Sequence, residues 1–202
     1  MTAGSRVGVA AAHPASDDGP KLFPGWRWAA VALAFPIAGL IGWTIGGHVD
    51  SVNVALVGGA LTGAGLGAAQ WLAAREMFGK WAAWVGVSSV SYGIGLAAGA
   101  ALVSYETDLG SLAAMGAVSG AVLGTGQGLA LAAQRRDGFA LAWGISMPAL
   151  LAVGWTVTTL GGIDVDQQFT VFGAYGAVVF TLLSGLLLAR FMRISGQPLA
   201  TP

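Results

Sequence analysis

The chain has 202 residues, 55% hydrophobic and 9% charged, with a formal net charge of zero and a mean hydropathy of +0.73. A soluble domain carries roughly 25% charged residues, so a mostly water-facing surface is excluded and nothing in the charge balance calls for nucleic acid. The chain has no cysteine, which excludes disulfides, thiolate catalysis and cysteine-ligated metals.

Residues 1–24 are polar and rich in Pro, Gly, Ser and Asp, and their one apolar run, "VGVAAA", is too short for a secretory core. They read as a disordered cytoplasmic tail. Six segments then follow, each long and apolar enough to cross about 30 Å of hydrocarbon as a helix. They lie near 26–47, 54–75, 81–104, 111–133, 139–160 and 170–192, within a transmembrane domain at 25–194 followed by a tail at 195–202. Helices are required because lipid offers no partners to backbone N–H and C=O groups. The expected fold is therefore all-α and polytopic.

The charges sort by side. All nine basic residues, Arg6, Lys21, Arg27, Arg75, Lys80, Arg135, Arg136, Arg190 and Arg193, fall on one face of this topology. The opposite loops hold Asp50, Glu106, Asp108, Asp164 and Asp166 and no Lys or Arg. The positive-inside rule then places both termini in the cytoplasm. Trp26, Trp28, Trp71, Trp81, Trp84 and Trp143 lie near the basic ends of their spans, where interfacial anchoring is their expected role.

An internal repeat is visible. "GALTGAGLGAAQWLA" (59–73) matches "GAVSGAVLGTGQGLA" (116–130) at nine of fifteen positions, and the same shift brings Ser184 under Gln70 and Gln127. Pro36/Pro148, Gly42/Gly154 and Trp43/Trp155 echo each other in spans one and five. Three tandem parallel hairpins, a pseudo-threefold bundle, are the simplest account. Gly59, Gly63 and Gly67, then Gly116, Gly120, Gly124 and Gly128, then Gly173 with Ala177, Thr181 and Gly185, recur every four residues. Such stripes let helix backbones approach closely. Gln70 lies seven residues beyond Gly63, about 20° away on the helix, and so belongs to the packing face.

The candidate site is a polar ring, Gln70, Gln127 and Ser184; interhelical hydrogen bonding is the plainer role for these groups and outweighs a coordinating one. No ionisable residue falls deep in a span, which argues against ion-coupled transport. His48, in "GGHVD", is a weak pigment-ligand candidate, and with Asp50 alone it is too sparse for a metal site. No catalytic residue, metal or cofactor is expected. A rhomboid-type protease would need a glycine where Ala117 stands, two before Ser119, and a histidine in span six. The segment "GALTGAGLGAAQWLAAR" resembles a loose set of uncharacterised bacterial polytopic membrane proteins with repeated G-x-x-x-G…Q-W-L helices, a resemblance that implies an architecture and a bacterial setting, with the spans in the cytoplasmic (inner) membrane, and no activity.

The expected function is that of a non-enzymatic structural or accessory subunit whose partners are the lipid bilayer and another membrane protein or a second copy of the chain. The alternative is a channel or permease for a neutral or amphipathic solute along the pseudo-threefold axis.

Overall fold

The computed structural model describes residues 25–134, 138–163 and 174–194. Among these, six helices are long and apolar enough to cross a membrane, and all regular structure is helical. They are α1 (Gly25–Gly46), α2 (Val52–Phe78), α3 (Trp81–Leu102), α4 (Leu109–Ala132), α5 (Phe139–Leu160) and α6 (Ala174–Ile194). The two tails, Arg135 and Arg136, Asp164 and Asp166, and the start of the expected sixth span, including Gly173, lie outside the described residues.

Local chemistry explains the ends. In α1 the turn Ala30–Leu33 is a 3-10 helix just before Pro36, whose missing N–H leaves the carbonyl four residues back without its α-helical donor. Gly47, at φ +82°, ends α1. The third helix stops at Leu102 rather than 104 because Ser104 (φ 52°) and Tyr105 (φ 64°) turn the chain through left-handed backbone. Asp108 then caps α4, accepting from the backbone N–H groups of Gly110 (2.8 Å) and Ser111 (3.2 Å) and from the Ser111 hydroxyl. The second helix runs past the expected 75 to Phe78, with a break at Ala74, where φ −144° and ψ 45° leave the helical region.

Each helix packs on its neighbours in sequence, and α6 returns against α1, so the six form a closed ring. Close helix approaches follow the glycine stripes. A Cβ on Gly63 would lie 2.7 Å from the Tyr92 Cβ, and one on Gly120 would lie 2.7 Å from the Pro148 Cα. Gly59 and Gly67 meet Gly93 and Ser88 of α3, while Gly116, Gly124 and Gly128 meet Leu151, Met147 and Ala140 of α5. Gly185 of α6 meets Trp28 of α1. Backbones in contact are what hold helices together in lipid, where no hydrophobic effect distinguishes a helix from an acyl chain.

The middle of the ring is filled by side chains from helices that are not neighbours. Phe35 of α1 meets Tyr92 of α3 edge-on at 6.4 Å, and Phe78 of α2 meets Trp143 of α5 at 5.5 Å. Outward, Leu33, Ile37, Leu72, Val90, Leu129, Leu141, Ile145 and Leu186 are exposed. Together they make an apolar surface far too large for water, and the surface lipid requires.

Candidate functional site

At the basic end, marked by Arg27, Arg75, Lys80 and Arg190, the ring encloses a polar network beneath an aromatic layer. Gln127 of α4 is its hub. Its Nε2 donates to Gln70 Oε1 of α2 (3.0 Å) and to Ser88 Oγ of α3 (2.8 Å), and its Oε1 accepts from Trp143 Nε1 of α5 (2.8 Å). Four helices are thereby tied through one amide. Every member is fully buried. Gln70 reaches this position because it continues the Gly63 face, and Ser88 because its backbone lies against Gly63 and its side chain against Gly67.

Of the expected ring, the two glutamines come together. Ser184 bonds elsewhere: it accepts from Trp28 Nε1 (3.3 Å) and donates to the carbonyl of Thr181 (3.2 Å). Trp28 also donates to that carbonyl at 3.0 Å, so the indole closes the α6–α1 seam as Trp143 closes the α4–α5 seam. At the α2–α3 seam Trp84 occupies the corresponding place. Its Nε1 and the Nε2 of Gln70 are buried donors with no acceptor from the protein.

Three of the tryptophans expected at the membrane interface are therefore core residues. Trp28, Trp84 and Trp143 are 3%, 1% and 0% exposed, because the middle of a six-helix ring must be filled, and the indoles of Trp28 and Trp143 also bring hydrogen-bond donors to polar partners. Trp26 and Trp81 do face outward, with the Arg27 guanidinium 5.6 Å from the Trp26 ring. Trp71 is half-buried and donates to the Gly79 carbonyl at 2.8 Å.

Phe78 seals the layer. It stacks on Trp84 with centroids 4.2 Å apart and planes 23° apart, and lies 6.1 Å from Trp28 and 5.5 Å from Trp143. No reading of the sequence singled out Phe78 or Ser88. Phe78 falls beyond the apolar run and after two charges, although it continues the buried face of α2 four residues past Ala74.

The remaining candidates lie apart from this network. Thr62 and Ser119 are fully buried, but in pairwise helix seams: a Cβ on Gly42 of α1 would lie 3.4 Å from Thr62 Oγ1, and one on Gly95 of α3 would lie 2.9 Å from the Ser119 Cα. Thr62 bonds back to the Gly58 carbonyl. His48 sits exposed in the α1–α2 loop at the acidic end. No group of three or more His, Asp or Glu suited to a metal occurs among the described residues.

Fold and site together define an all-helical, multi-pass membrane protein with a glutamine-centred network under an aromatic cap. No protein family, no curated protein and no solved structure matches the chain.

Proposed function

We propose that the chain is a non-enzymatic integral protein of the bacterial cytoplasmic membrane, a structural or accessory subunit that packs against another membrane protein, with both termini in the cytoplasm. The observation that carries this reading is the filled interior. At the basic end the hydrogen bonds of the network run between helices, and the mid-membrane hydroxyls of Thr62 and Ser119 sit in helix seams rather than along a central path. The orientation rests on the one-sided distribution of Lys and Arg.

A build from three parallel hairpins belongs to the same proposal. It is supported by contacts that recur from hairpin to hairpin: Gly63 of α2 and Gly120 of α4, in phase at the 57-residue shift, each abut the following odd-numbered helix, and Gly185 of α6, two turns beyond their counterpart Ala177, abuts α1. The odd-helix glycines Gly42, Gly95 and Gly154 abut α2, α4 and α6.

The test is purification of a tagged chain from its own membrane in mild detergent. A stoichiometric second membrane protein is the expected result. A lone, monodisperse chain would remove the subunit reading. The channel reading is tested separately by single cysteines at Thr62 and Ser119, in a chain that has no other. Exclusion of a membrane-impermeant thiol reagent from both is expected. Rapid labelling of both in folded protein would make transport the better account.

A further inference from the structure

We propose that the last turn of α2, Arg75–Phe78, is a hinged plug: Phe78 is its stopper, Ala74 and Gly79 are its hinges, and its opening admits water to the glutamine network. The inference goes beyond the subunit reading and does not rest on it.

Three observations converge. First, the turn is detached from the helix that carries it. The break at Ala74 interrupts α2, and Gly79, at φ +68° and ψ −135°, holds a backbone conformation that L side chains rarely adopt. A single helical turn between two breaks has no stability of its own. It is held by the Trp71–Gly79 hydrogen bond, by the Gln134 amide lying against Gly79 and by the burial of Phe78.

Second, what the turn inserts is a stopper rather than a strut. Phe78 touches Trp28, Trp84 and Trp143, one indole from each of α1, α3 and α5, so a single ring closes the space among three helices at the basic mouth. Trp143 donates directly to Gln127, and Ser88, which accepts from Gln127, lies one turn beyond Trp84. Displacing Phe78 thus opens the way to the network.

Third, buried donors beside the plug lack a protein acceptor. Gln70 Nε2 and Trp84 Nε1 are buried without an acceptor from the protein, a cost that burial in low dielectric makes large. Entry of an acceptor oxygen, from water or from a neutral solute, relieves it. The closed and open states are thereby brought closer in energy, as a two-state element requires. The chain has the length to move: unwinding four residues from a rise of 1.5 Å to about 3.3 Å each frees roughly 7 Å, although only Gly79 and Lys80 link α2 to α3.

The experiment uses Ser88→Cys as the reporter under the plug and Ser119→Cys as a mid-bundle control, each labelled by a membrane-impermeant thiol reagent applied from the basic side. Adding Phe78→Ala is expected to raise Ser88→Cys labelling at least about tenfold, an opening measured as a change in local equilibrium, and to leave the control slow. Phe78→Leu, which refills the space, is expected to stay closed. Unchanged labelling with Phe78→Ala in folded protein overturns the plug. Equal acceleration at both reporters also overturns it, because it reports a loosened bundle.

Amide exchange of the unmodified protein in nanodiscs gives a readout that needs no variant. Residues 75–79 are expected to exchange together, about tenfold or more faster than 66–73. Uniform protection across both stretches overturns the proposal.

Discussion

Gln127 and Gln70, 57 residues apart, share a 3.0 Å amide–amide hydrogen bond across the interior of the ring. They are not equal partners. Gln127 makes three described bonds to three other helices, whereas the Nε2 of Gln70 has no acceptor from the protein. The amide of α4 is therefore the organising one.

That asymmetry sets the first expectation. Gln127→Leu strands the Trp143 and Gln70 groups and is expected to destabilise the bundle by about 1–3 kcal/mol, more than Gln70→Leu. In a double-mutant cycle the pair is expected to couple by about 0.6–1.7 kcal/mol, the range for interhelical hydrogen bonds in bilayers. Reversible unfolding in mixed micelles measures both. Equal single-mutant effects would contradict the hub.

Glycines on and off the contact faces are expected to respond with opposite sign. Alanine at Gly63 or Gly120 drives a methyl into the next helix and is expected to cost about 1–3 kcal/mol through overpacking. Nothing lies within 4 Å of a Cβ placed on Gly86, so Gly86→Ala is expected to be neutral or to stabilise by up to roughly 1 kcal/mol through helix propensity. The same unfolding assay compares the three.

The tryptophans are expected to divide in a quenching experiment. In single-tryptophan variants that keep the fold, Trp26 and Trp81 should be reached by quenchers in water and in lipid headgroups. Trp84 and Trp143 should be shielded and should emit from an apolar surrounding. Strong aqueous quenching of Trp143 would contradict its place in the core.

The cap of α4 carries a pH dependence. The Ser111 hydroxyl, then the backbone N–H groups of Ser111 and Gly110, hold the exposed Asp108 carboxyl below its ordinary range. Its folded value is therefore lower than its unfolded one. The contribution to stability is fully present above the unfolded value and is lost as pH falls through the folded one. Asparagine also caps helices well but does not titrate. Asp108→Asn is expected to unfold at nearly the wild-type temperature in acid, the gap between the two widening toward neutral pH in thermal melts.

Six spans were legible in the chain because the cost of an unpaired backbone group in hydrocarbon leaves helices as the only local solution, and length and apolarity reveal them. Burial of Gln70 was legible from its phase with Gly63. Other features were not. Asked from sequence where Trp28, Trp84 and Trp143 go, the interfacial preference of indole is the natural guide, yet all three point inward. In lipid the inner and outer faces of a helix are about equally apolar, so no hydrophobic contrast along the chain marks which residues turn toward the ring.

The sequence by itself determined the number of helices, their approximate bounds and the small-residue faces along which they meet, since each follows from local composition and helical period. Only the tertiary structure decided that Gln127 is the hub, that Ser184 serves Trp28, and that Phe78 folds back beneath the basic end. These depend on which side chains converge when the ring closes, and that is set by packing between residues far apart in the chain.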